Sequence, residues 1–424
     1  MSIFEAILSF KTPLILVTTH CVNLIKWNVA MSANAFARNG NFLGLLAANT
    51  VLGAAMPMLI ILGGLAGLML APSTALATLP ASIQTLAGLV AAAPLSLFMG
   101  RFGRKTGFML GAGLAIIGAL LGVWALFTDN FILLCVAHLA LGTALTCYQY
   151  FRFAAAEVVS IEWQPVAISL MLTSGLVAAF VGPQVFIMAK DAFAPVPLAG
   201  AYAAIAVISC LGVIPLAIVR IPTLAFVPRA ASGKRFAAFA VLRHGPVRTA
   251  VAIGAVSQGV MVFMMVPTPL AMIGCGFTEA VAGDVIRWHV VAMFAPSLFT
   301  GFLIKRFGTK RIVLTGLGLL IVAAAIAASG LSATHFYGAL ILLGVGWNFG
   351  FIGATSMLAS AVSPEEKSVV QGVNDTVIAL ASTICAFGAG AIIAGFGWAV
   401  LAIVALVIVA LAAGALIFDK QQVA

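Results

Sequence analysis

Long apolar stretches follow one another along this chain with brief polar interruptions, and most of them run for about twenty residues or more. A helix needs about 20 such residues to cross roughly 30 Å of hydrocarbon. The pattern predicts spans over residues 43–70, 75–99, 107–127, 131–158, 165–189 and 196–219, then 248–273, 279–304, 312–332, 336–360, 369–395 and 398–418. Twelve spans predict an all-α polytopic membrane protein.

The first six and the last six are related. Arg101-Phe-Gly-Arg-Lys105 recurs about half a chain later as Arg306-Phe-Gly-Thr-Lys310. The match continues downstream, Gly111 and Gly113 aligning with Gly316 and Gly318, Leu114 with Leu319, and Ile116 with Ile321. The duplication predicts two pseudo-symmetric six-helix bundles, residues 41–220 and 248–418, a pattern of solute carriers. Glycine suits each short basic turn because it tolerates backbone conformations closed to other residues. Between the bundles, the linker 221–247 carries Pro222, Pro228, Ser232-Gly233 and a cluster of cations, and Lys234–Arg243 reads as a basic segment for an anionic leaflet. Residues 1–40 stand outside the repeat. Their apolar part, Thr12–Ile25, is short and broken by Thr18, Thr19, His20 and Asn23, so it reads as a cytoplasmic tail or interfacial helix, with Met31 as an alternative start. Residues 419–424 form a short second tail.

Composition agrees: 63% of residues are hydrophobic and 8% charged, against about 25% charged in a soluble domain. The net charge of +10 is placed by topology rather than for nucleic acid, since eighteen of the 21 Lys and Arg fall on one side when alternate loops are counted. The positive-inside rule then puts both termini in the cytoplasm and the chain in the cytoplasmic (inner) membrane. The six cysteines are scattered without metal-ligand spacing and read as packing residues. No cofactor or metal site is expected. HExxH, GxSxG and Walker motifs are absent, which argues against the corresponding enzymes and against ATP-driven transport without a separate subunit. A channel, or a membrane protein with no transport role, is the alternative class; duplicated halves and the lack of a polar ring disfavour a channel.

Six plus six spans, a long central loop and the basic turn between spans two and three resemble the major facilitator superfamily. The family's signature there runs roughly G-x-L-x-D-R-x-G-R-K. This chain has Ser96 at the first position and Gly100 in place of Asp, followed by Arg101, Gly103, Arg104 and Lys105. The second copy has Gly301, Leu303, Lys305, Arg306, Gly308 and Lys310. In the family that Asp braces the cytoplasmic face against the eleventh helix; here another group does so, or the brace is weaker. The resemblance implies a secondary carrier working by alternating access as a monomer, with spans one, four, seven and ten around a central cavity.

Polar residues inside spans are costly unless they meet a partner or a watery cavity. Arg101, Arg104, Lys105, Arg306 and Lys310 are candidate gating cations, with topology alone as the plainer role. Arg152, with Tyr148 and Gln149 expected on its face of span four, either snorkels to the membrane surface or lines the cavity; Glu157 is expected to pair with Arg101 or Arg104. Asp375, about two turns inside span eleven beside Asn374, is expected to oppose Arg152 as an inner gate or proton-linked pair. Asp284 and Arg287 neutralise one another in the plainer reading, and His289 is either a packing residue or a titrating one. Cavity candidates are Asn49, Gln84, Tyr148, Gln149, Gln258, Arg287, His289, Trp347, Asn348 and Asn374. This inventory, aromatic and soft with some amides and few charges, suits a planar or amphipathic organic solute. Gly182-Pro183 in span five resembles a motif of exporters and antiporters and tilts the reading toward export; import of a nutrient or vitamin such as a flavin is the alternative.

Overall fold

The computed structural model describes residues 39–160, 164–221, 239–362 and 367–418. The N-terminal tail, most of the linker, the Ser363–Glu366 opening of span eleven and residues 419–424 lie outside the described residues. Among those described, every regular element is helical. We number the spans α1 (Gly40–Leu70), α2 (Leu79–Phe102), α3 (Arg104–Phe127), α4 (Phe131–Glu157), α5 (Gln164–Ala189), α6 (Ala199–Ile218), α7 (Gly245–Gly274), α8 (279–307), α9 (Thr309–Ser329), α10 (Ala333–Ser360), α11 (367–396) and α12 (398–418). The last two form one run of 52 residues, broken only at Gly397, whose φ of 78° no helix permits. At 1.5 Å per residue an unbroken run of that length would reach far beyond a bilayer, so it is two spans joined by one glycine.

Several spans are interrupted, and proline explains most of the breaks. Pro57 cannot donate to the carbonyl of Gly53, and α1 breaks at Ala54. Pro267 interrupts α7, and α8 bends by 41° between Phe294 and Ser297, around Pro296. In α4 a turn at Gln149–Tyr150 has no proline to account for it.

The two halves repeat one packing scheme. Helix α4 packs on α2 and α3, as α10 packs on α8 and α9; α1 packs on α5 and α6, as α7 packs on the α11–α12 run. The halves meet where α5 crosses α8 and α2 meets the α11–α12 run. Equivalent glycines do equivalent work. A Cβ on Gly111 would lie 2.6 Å from the Cys147 Cβ of α4, and one on Gly316 would lie 2.5 Å from the Gly350 nitrogen of α10. Ile117, Leu120 and Trp124 on α3 and Ile403, Val407 and Leu411 on α12 point outward, as lipid contact requires. Between these helices small residues set the close approach, because lipid is as apolar as the core and water exclusion adds little.

The basic turns are tighter than their five-residue motif suggests. Helix α2 continues through Arg101 and Phe102, α3 begins at Arg104, and Gly103 alone makes the turn at φ 90° and ψ 154°. Gly308 repeats it at φ 86° and ψ 149° between Phe307 and Thr309. A side chain there is strained, which is why both copies keep glycine. We call this the basic end of the molecule.

Candidate functional site

At the basic end, Arg104 and Lys105 occupy the first turn of α3, where the helix dipole disfavours cations. Each is answered by another helix. Arg104 Nε donates to both carboxylate oxygens of Glu157 on α4, at 2.7 and 2.8 Å, and its Nη2 lies 2.6 Å from Oε1. Lys105 Nζ donates to the carbonyls of Ala217 (2.7 Å) and Val219 (3.0 Å), at the end of α6 where helix carbonyls lack partners. Arg101 and Arg306 sit alike over the rings of Phe102 and Phe307, at 5.3 and 5.6 Å from the centroids. Lys310 follows Thr309 in the first turn of α9.

Deeper in α4, the turn at Gln149–Tyr150 separates residues expected on one face. Tyr148 is buried against Gly111 of α3 and Phe151, Gln149 is exposed, and Tyr150 donates its hydroxyl to the Ala92 carbonyl of α2. Arg152 lies beyond the turn with its guanidinium over Phe153, and its Nε is buried without a hydrogen-bond partner. Asp375 on α11 is within electrostatic reach of Arg152, yet the two form no direct ion pair. Asn374 donates to Asp375 Oδ1 at 3.2 Å and turns its own Oδ1 toward Gly254 of α7.

A half-buried aromatic group gathers on the second half. Trp347 of α10 stacks on Phe351 (5.1 Å, 16°) and meets Phe294 of α8 edge-on (6.2 Å, 76°). Its indole N–H donates to Gln258 Oε1 of α7 at 2.7 Å, which fixes the ring plane. Gly175 of α5 faces Phe294 from the other half, a Cβ there lying 3.2 Å from the ring. On the first half, Asn49 donates to the Met171 carbonyl (3.2 Å) and Ser174 Oγ (2.7 Å) of α5. Flat rings held by an amide, in a setting of few charges, form a surface on which a planar solute can stack.

Other candidates, Arg287 excepted, work within their own half. Gln84 accepts from His138 Nδ1 (3.1 Å), and His138 Nε2 accepts from Tyr202 (2.7 Å), so α2, α4 and α6 are tied through one fully buried imidazole. His289, also buried, donates Nδ1–H to the Leu340 carbonyl of α10 at 2.7 Å. Asn348 is buried and donates to the Met293 carbonyl and Ser297 Oγ of α8, each at 2.6 Å. Arg287 donates to Asp284 (2.8 Å) and reaches Gln184 of α5 at 3.4 Å, while Tyr337 donates to the second Asp284 oxygen at 2.6 Å.

Three features escaped sequence reasoning. Phe294 and Phe351 had no polar atom to single them out. His138 was one more histidine in an apolar run. At the end opposite the basic turns, Lys190 pairs with Glu279 across the halves at 3.0 Å and with its neighbour Asp191. The hydrogen bond to Asp191, reinforced by Glu279 against a smaller opposing effect of burial, raises the Lys190 pKa above the ordinary lysine value.

Residues 251–423 match the family model of the Major Facilitator Superfamily. The chain is 38% identical over 386 residues to the riboflavin transporter RfnT of Brucella anthropi, covering 89% of this chain and 96% of that one. It is 28% identical over 366 residues to the MFS-type transporter YdeG of Bacillus subtilis, covering 83% and 85%. The fucose:proton symporter FucP of E. coli superposes with a TM-score of 0.59 at 16% identity, over 88% of this chain and 98% of that one. The nucleoside transporter NupG superposes with a TM-score of 0.57 at 14% identity, over 89% and 98%. A repeated six-helix unit, a doubled basic turn and near full-length similarity to such carriers agree: the chain is an integral membrane transporter, not an enzyme, and belongs to the major facilitator superfamily.

Proposed function

We propose that this transporter carries riboflavin, or a flavin of the same size, into the cell, stacking its ring system on the Trp347–Phe294–Phe351 group. The observation that carries the reading is the 38% identity to a riboflavin transporter over 89% of the chain. The aromatic group supports it chemically: a tricyclic, largely uncharged ring offers faces to indole and phenyl rings, and Gln258, Asn49 and Asn374 can meet its carbonyls and hydroxyls. The basic end faces the cytoplasm by the positive-inside rule. Arg152 and Asp375 form the inner gate, with Asp375 as the candidate proton carrier.

Import is preferred to export. Gly182, which tilted the sequence reading toward an exporter, has a packing duty that needs no such role: a Cβ there would lie 2.5 Å from the Ala54 carbonyl and from Pro57 of α1. The test is uptake of radiolabelled riboflavin by a riboflavin auxotroph lacking its own transporter. Expression of this chain should restore growth at low external riboflavin and give saturable uptake, which Trp347→Ala lowers by about tenfold or more. Loss of internal flavin on expression would favour the exporter reading, and no change in either direction would reject a flavin as the cargo.

A further inference from the structure

The break in α8 leaves a carbonyl that its own helix does not serve. At Pro296 the helix bends by 41°, and Ser297 starts a new segment. In a continuous helix the Ser297 N–H would serve the Met293 carbonyl. Here the donor is Asn348 Nδ2 of α10, at 2.6 Å. The same amide donates to Ser297 Oγ at 2.6 Å, and its Oδ1 accepts from Thr300 Oγ1 at 2.6 Å. One fully buried side chain thus holds the segment before the bend, the first residue after it and the turn that follows.

Two neighbours give this brace a direction. Trp347, the residue before Asn348, carries the aromatic group, and Phe294, the residue after Met293, completes it. Phe294 is also where α8 touches Gly175 of the opposite half. A solute lying on Trp347 and Phe294 therefore presses on the residues next to the two ends of the Asn348–Met293 hydrogen bond, at a point where the two halves touch.

We propose that Asn348 is the positioning residue that couples a solute on the Trp347–Phe294 pair to movement of the α8 bend against α5. It touches no solute itself; it transmits. The inference rests on the flavin reading above for its probe. A residue of this kind affects turnover more than binding, because replacing it leaves the rings that hold the solute unchanged.

The test uses the full chain, purified and reconstituted in liposomes, with riboflavin as probe. Equilibrium binding is read from quenching of flavin fluorescence, and KM and maximal rate from uptake. Asn348→Ala should leave the riboflavin Kd within about threefold of wild type and lower the maximal rate by about tenfold or more. Thr300→Val, which keeps shape and removes one donor, should give the same split at about threefold in rate, so the inference stands on a second variant if Asn348→Ala folds poorly. Trp347→Ala should lose binding and serves as the contrast. Unchanged rates in both Asn348→Ala and Thr300→Val, or affinity and rate lost together, would overturn the inference while leaving the flavin reading intact. A wild type that neither binds nor accumulates riboflavin would overturn the flavin reading and this inference with it.

Discussion

At the end of the molecule opposite the basic turns, the halves are pinned at several points. Lys190 holds Glu279, Arg287 reaches Gln184, and Gly390 of α11 leaves so little room that a Cβ would lie 2.0 Å from Thr78 Oγ1. Toward the basic end, Arg152 and Asp375 face one another without pairing. One end is shut by packing and charge together, and the other keeps its opposite charges apart. On the proposed orientation, with the basic end in the cytoplasm, that asymmetry fits an inward-facing carrier, and Arg152–Asp375 is the proposed pair to close when the opposite end opens.

The largest effect should come from the separated pair. Arg152→Glu and Asp375→Arg should each lower initial uptake by about tenfold or more, since each sets two like charges within electrostatic reach of one another. Combining them should recover at least about a third of the activity, and a double variant no better than the singles breaks the pairing. Gly390→Leu comes next. Its side chain should wedge the pinned end apart and lower uptake by about fivefold, with faster alkylation of the exposed Cys275 by an impermeant maleimide. That labelling also tests orientation, because Cys275 should react from outside intact cells. Glu279→Gln should raise the same labelling rate only about two- to fivefold, because an accessible ion pair contributes about 0–1 kcal/mol. The smallest changes, Gly103→Ala and Gly308→Ala, should each cost about 1–2 kcal/mol and lower the melting temperature in detergent by similar amounts. Unequal losses would show that the two basic turns carry different loads.

Span positions were legible because hydrocarbon imposes one length on every crossing helix; the expected 131–158 and 369–395 lie within a residue or two of the helices found. The repeat was legible for the same kind of reason. Gly103 and Gly308, like Gly111 and Gly316, answer steric demands that only glycine meets, so the duty shows in the letter. Side-chain direction was not legible. Tyr148 and Arg152 stood four apart on an ideal helix, but a two-residue turn without proline placed one in the core and the other beyond it. Asn348 read as a solute ligand because nothing in α10 reveals that α8 breaks beside it. Phe294 stayed hidden because its importance lies in what it touches.

Gly397 carries a practical consequence. With α11 and α12 meeting at a single residue, and α9 and α10 separated only by Gly330–Ser332, the second half offers little polypeptide on that face for an antibody to grip or a protease to cut. A peptide tag inserted at Gly397 would have to prise apart two packed helices. A handle for purification or imaging on that face belongs instead in the longer connection around residues 190–198, provided that Lys190 itself is spared.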